Sequence, residues 1–176
     1  SLATYAEQLR QLIVHLGVPT GIPGAALNHR EAAKRSVETI GERASEAGVR
    51  VALEVIPNDL STPAALVRLL DDELEADHVG ICLDLGHAHL LGDVVDAVET
   101  VSGLVTATHV HDNRGRKDDH LLPFEGTIDW EGTLLALQKV GYDGVLMFEP
   151  AGVADPGPVL EKAKQARHRL RGLLDA

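Results

Sequence analysis

Short apolar runs alternate with amphipathic stretches along this chain, and that alternation predicts its elements. Residues 11–16 form an apolar run of strand length. Over residues 28–47, Ala32, Ala33, Val37, Ile40 and Ala44 recur at helical spacing. This predicts an amphipathic helix, capped at Asn28 or the residue before it and stopped by Gly48. The next strand is predicted over residues 49–55. Ser61-Thr62-Pro63 opens a helix that runs to about Leu74, with Pro63 in the first turn, where no N–H is needed. Further strands are predicted over residues 79–85, 104–110 and 144–148, and helices over 93–101, 130–140 and 156–174. Residues 3–10 read as the end of an earlier helix. The Gly- and Pro-rich residues 17–27 read as loop, and residues 112–127 as a long polar loop.

Strand and helix thus alternate five times, which predicts an α/β fold with a parallel sheet. The strands are nearly continuous apolar runs, as expected when both faces are covered. Five such units do not close an eight-stranded barrel, which takes about 250 residues. The pattern admits an open doubly wound sheet, or the last five units of a (β/α) barrel. The second arrangement leaves open sheet edges, which a second copy of the chain would cover.

Composition narrows the class. The chain has 176 residues, 44% apolar and 24% charged, which suits one globular domain. Only 3% are aromatic, so Ala, Val and Leu must fill the core. No apolar run approaches the ~18 residues of a membrane span. No signal-peptide pattern is seen at the N-terminus. The single Cys82 lies within an apolar run; it reads as an inert core thiol and fits a reducing cytoplasm. A net charge of −11 repels phosphate backbones and argues against nucleic acid as the main partner.

The candidate chemistry sits where the apolar runs end. Glu54, Asp84, His109 and Glu149 each close one run, and function in parallel α/β folds gathers at the C-terminal ends of strands. A lone acid at such a place commonly caps a helix or pairs with a cation. Four metal-type residues in successive strands point instead to one shared site. Three carboxylates at one mouth repel one another, and a divalent ion removes that conflict. The set suits Mn²⁺, Mg²⁺, Co²⁺ or catalytic Zn²⁺. His15 ends the first run in the same way, and His87 follows Asp84 by three residues. The long loop carries Asp118 and His120, two apart, as a possible extra metal clip. It also carries Arg114 and Arg116, suited to holding a substrate oxygen or phosphate. Gly126-Thr127-Ile128-Asp129-Trp130 reads as a helix entry capped by Thr127 or Asp129, with Trp130 as packing. No phosphate loop, dinucleotide fingerprint or nucleophile elbow is present.

Taken in order, these residues resemble a known group, the xylose isomerase-like TIM barrels. The motifs are Leu53-Glu54, Leu83-Asp84-Leu85-Gly86-His87, His109-Val110-His111-Asp112-Asn113, Asp119-His120-Leu121 and Phe148-Glu149-Pro150. That group includes sugar phosphate isomerases and epimerases, inosose dehydratases, ketose 3-epimerases and the endonuclease IV family. The resemblance implies a partial TIM barrel lacking its first three βα units, a single domain over residues 1–176. It implies that Glu54, Asp84, His109 and Glu149 hold one divalent ion. His87 would touch substrate, as would Arg114 and Arg116 if the loop faces the pocket. The activity implied is isomerisation or epimerisation of a small sugar, sugar phosphate or polyol through an enediolate, with Glu54 and Glu149 moving the proton. The alternative is a zinc phosphodiesterase of the endonuclease IV type, using His15, His87, Asp118 and His120 for further ions. A non-catalytic truncated barrel is the third possibility. Val55 departs from the Asn that many relatives carry after the first glutamate.

Overall fold

The computed structural model describes residues 9–74, 78–152 and 154–175. The helix expected over residues 3–10 falls almost wholly outside them. The strands are β1 Gln11–Val14, β2 Arg50–Glu54, β3 Val79–Asp84, β4 Val105–Val110 and β5 Leu146–Phe148. The helices are α1 Arg30–Glu46, α2 Pro63–Arg68, α3 Leu85–Leu91, α4 Val94–Thr100, α5 Trp130–Lys139 and α6 Gly157–Leu174. The strands lie parallel in the order β1-β2-β3-β4-β5. A doubly wound sheet reverses its strand order at a switch point. Here the order runs straight through, so the five units are those of a partial (β/α) barrel.

Internal contacts divide the chain into Ser1–Cys82 and Leu83–Ala176, with the boundary inside β3. In the first unit β1 pairs with β2 from Gln11↔Arg50 to Val14↔Leu53. β2 pairs with β3 from Val51↔Val79 to Glu54↔Cys82. Val51, Ala52 and Leu53 are fully buried beneath α1, which turns Val37, Gly41 and Ala44 inward. Asn28 does not cap α1. His29 occupies that position without a side-chain bond. Asn28 instead clasps Val18, accepting from its N–H at 3.0 Å and donating to its carbonyl at 2.9 Å. Its amide offers both a donor and an acceptor, so it can bridge a turn as a backbone group would. Thr62 caps α2 by accepting from Ala65 N, with Pro63 in the first turn as expected. One π turn, Leu69–Glu73, then carries the helix on.

In the second unit β4 pairs with β5 from Thr108↔Leu146 to Val110↔Phe148. Helix α5 packs against α4 and α6, and Leu134, Leu137 and Leu170 are buried. Asp93 caps α4 and Asp129 caps α5. The strand expected to reach Leu85 stops at Asp84, and a helix absent from the sequence expectation, α3, begins at once. Asp84 causes this itself: its Oδ1 accepts from His87 N at 2.7 Å, closing the first turn. Among the described residues no helix is long and apolar enough to cross a membrane.

Candidate metal centre

Parallel pairing places the ends of neighbouring strands side by side. Asp84 ends β3 and His109 lies one residue before the end of β4. Glu149 follows β5, held in line by its N–H donating to Val110 O at 3.1 Å. Asp84, His109 and Glu149 offer ligand atoms that all lie within 4.8 Å of one another. Nδ1 of His109 is 3.2 Å from Glu149 Oε2 and 3.9 Å from Asp84 Oδ2. Those two carboxylate oxygens are buried and have no hydrogen-bond partner among the described residues. An acceptor stranded in this way costs about 1–3 kcal/mol, more when charged. Two stranded oxygens and an imidazole nitrogen facing one another are the donor set a divalent ion satisfies, so these residues fit a metal.

A second group lies in the same unit. His87, His111, Asp118 and His120 also offer atoms within 4.8 Å of one another. His87 Nε2 is 3.3 Å and His120 Nε2 is 3.2 Å from Asp118 Oδ2. His120 also donates from Nδ1 to the Glu149 carbonyl at 2.8 Å, tying the loop to the end of β5. The His111 and His120 rings stack with centroids 4.0 Å apart. Burial by itself would push the Asp118 carboxyl up, but the hydrogen bond from His87 and the charges of the three imidazoles outweigh it and hold its pKa below the ordinary value. Burial likewise pushes the His111 imidazole down. The hydrogen bond and charge of Asp84, with the charge of Asp118, outweigh that and raise it.

The other expected residues fall as follows. Glu54 ends β2, nearly fully buried, and its Oε2 accepts from His15 Nε2 at 2.8 Å. His15 is itself 56% exposed. Arg114 is exposed and donates to the Glu125 carbonyl within its own loop, and Arg116 is exposed on that loop.

Two residues without a role in the sequence reading prove central. Asp112, fully buried, accepts five hydrogen bonds: from the N–H groups of Asn113, Phe124, Gly126 and Ile128, and from Trp130 Nε1. It folds the long loop around itself. A Cβ at Gly126 would collide with Asp112 Oδ1 and the Asn113 carbonyl, so only glycine lets the loop close. The other residue is His111. Alternation along an extended segment sends His109, His111 and Asn113 to one side and Asp112 to the other. His109 and His111 meet Asp84, and Asn113 Nδ2 donates to Gly86 O at 2.8 Å. The signal was therefore present as a period of two across 109–113.

The comparisons bear on the family and the fold. The family model for the xylose isomerase-like TIM barrel matches residues 2–173. An uncharacterised protein of Methanocaldococcus jannaschii is 32% identical over 127 residues, covering 68% of this chain and 43% of its own length. A ketose 3-epimerase of Arthrobacter globiformis is 27% identical over 135 residues, 73% of this chain and 44% of its own. Among solved structures, a D-tagatose 3-epimerase-like protein superposes with a TM-score of 0.77 at 26% identity, covering 94% of this chain and 62% of that one. The chain spans less than half the length of these curated relatives. Strand order, ligand-bearing strand ends and the matched residues together lead to one conclusion: the chain belongs to the xylose isomerase-like TIM barrel family.

Proposed function

We propose that this chain, a single barrel-type domain, carries the metal site of an isomerase or epimerase acting on a small sugar, sugar phosphate or polyol. The observation that carries the reading is the pair of stranded buried oxygens, Asp84 Oδ2 and Glu149 Oε2, facing His109. The similarity to a ketose 3-epimerase supports the substrate class. Asp84, His109 and Glu149 would hold one ion of Mn²⁺, Mg²⁺, Co²⁺ or Zn²⁺. Glu54 is proposed as the fourth ligand from its place in the chain, since it ends β2 opposite Cys82, two residues before Asp84. When bound, such an ion acts as a Lewis acid on a carbonyl or hydroxyl oxygen. The residues themselves bind and move protons. Glu149, whose side chain is 45% exposed, is proposed as the base that acts on a substrate carbon. It takes a proton from one carbon beside the carbonyl, and Glu54 or Glu149 returns one through an enediolate. His87, Arg114 and Arg116 orient substrate oxygens. The buried lone Cys82 supports a reducing, cytoplasmic setting. Among the described residues the outer strands β1 and β5 each have one neighbour, and Met147 on β5 is 55% exposed. A second copy of the chain is proposed to cover these edges.

The test is proton exchange. Ketohexoses incubated with the chain and Co²⁺ or Mn²⁺ in D₂O should exchange the proton beside the carbonyl, seen by NMR. Glu149→Gln should slow this by about 10²-fold or more. Absence of stoichiometric metal binding would overturn the reading. A second reading, a zinc phosphodiesterase using His15, His87, Asp118 and His120 for further ions, is favoured by the second cluster. It requires more than one zinc per chain and cleavage of a duplex containing an abasic site.

A further inference from the structure

We propose that His111 is a positioning residue that locks Asp84 in its metal-binding orientation, with Gly86 as the complement that admits it. The inference rests on the metal reading above. Asp84 is fully buried and its two oxygens have different surroundings. Oδ1 accepts from His87 N at 2.7 Å and lies 2.9 Å from His111 Nε2. Oδ2 accepts no hydrogen bond among the described residues and lies 3.4 Å from His87 Nδ1 and 3.9 Å from His109 Nδ1. A carboxylate with one oxygen bonded to a backbone N–H and in close contact with a buried imidazole nitrogen is restrained about its terminal bond. The free oxygen therefore stays aimed at the ligand cluster. Nearby groups of this kind set both the geometry and the affinity of a metal site.

His111 is held in place as tightly as it holds. Its ring is fully buried, stacked on His120 and edge-on to His87, with centroids 5.3 Å apart. A Cβ at position 86 would overlap Cε1, Nδ1 and Nε2 of His111. The imidazole edge occupies the space a side chain there would fill. Asn113 fastens the same point from behind by donating to Gly86 O. The glycine within Leu83-Asp84-Leu85-Gly86-His87 is thereby explained: it is the seat of His111.

The experiment titrates the intact chain with Co²⁺. Affinity is followed by calorimetry, coordination by the visible absorption spectrum, stoichiometry by elemental analysis and folding by thermal melts. His111→Ala should bind about 10- to 100-fold more weakly with an altered spectrum and unchanged stoichiometry. His111→Gln, whose amide extends to the reach of Nε2, should recover most of the affinity and the parent spectrum. Should His111→Ala fail to fold, the double variant Gly86→Ala/His111→Ala refills the vacated space, and it should melt normally yet bind weakly. Unchanged affinity and spectrum in a folded His111→Ala would overturn the role of His111 and leave the metal reading intact. Loss of a second ion from His111→Ala would also overturn it, by making His111 a ligand. Failure of the parent chain to bind Co²⁺ would overturn both.

Discussion

Asp84 and Asp112 are both fully buried aspartates in the same unit, and they are handled in opposite ways. Asp112 is surrounded by five donors and leaves no oxygen unserved. Asp84 accepts one hydrogen bond, from His87 N to Oδ1, while its Oδ2 accepts none among the described residues. A charge taken from water must be compensated. Asp112 is compensated by the protein alone, so its work is architectural. Asp84 is compensated only in part, and that remainder is the reason it is proposed as a metal ligand. Burial therefore does not separate a structural acid from a functional one; the count of satisfied lone pairs does.

The comparison is most exposed at Asp112. Asp112→Ala strands five donors in the core, and urea denaturation should show a loss of about 3–5 kcal/mol or a chain that does not fold. A loss below 1 kcal/mol would remove the architectural assignment. Asp84→Asn should behave differently, because its amide oxygen can still cap α3. Its metal-free stability should stay within about 1 kcal/mol of the parent. In the parent, Co²⁺ at a hundredfold excess over Kd should stabilise by about 2.7 kcal/mol, seen as a rise in Tm. Asp84→Asn should show no such rise.

Smaller effects come from residues that do not touch either acid. Thr62→Ala removes the only side-chain cap on α2, in the first unit, and should cost about 1 kcal/mol without altering metal binding. The Asp112 loop is also held from outside, by Arg169 over the Phe124 ring at 3.6 Å and by Lys162 donating to Glu125 at 2.9 Å. The Lys162 hydrogen bond is the main cause that keeps the Glu125 carboxyl below its ordinary pKa. A carboxyl depressed in the folded state stabilises the fold above its unfolded pKa of about 4.3, and that contribution disappears as pH falls through the folded value. The pair is half exposed, so Lys162→Met should flatten the acid limb of the stability curve by at most about 0.5 kcal/mol.

Much of this was legible in the chain. The apolar runs predict five strands, and Glu54, Asp84, His109 and Glu149 at their ends read as neighbours from the sequence. The parallel strand has one polarity, so residues at its C-terminal end share a side of the sheet. Other features depended on partners far away in sequence. Asn28 looked like a helix cap and clasps Val18 instead. Residues 85–91 carry too short a pattern to announce a helix, yet Asp84 nucleates one. His111 and Asp112 sit within a motif that was noticed, but nothing local distinguishes a ligand from its support.

The sequence by itself determined the α/β class, the parallel sense of its strands and the residue types at their ends, while the strand order β1-β2-β3-β4-β5 came from the tertiary structure. The class and the parallel sense follow from apolar runs of strand length alternating with stretches of period 3.6, which are local properties of the chain. Only the tertiary structure decided which acid is satisfied and which is stranded. It also decided which glycine makes room for an imidazole and which side of an extended segment meets Asp84. Satisfaction of a buried charge depends on donors contributed from up to 18 residues away, as Trp130 is to Asp112, and no local pattern carries that information.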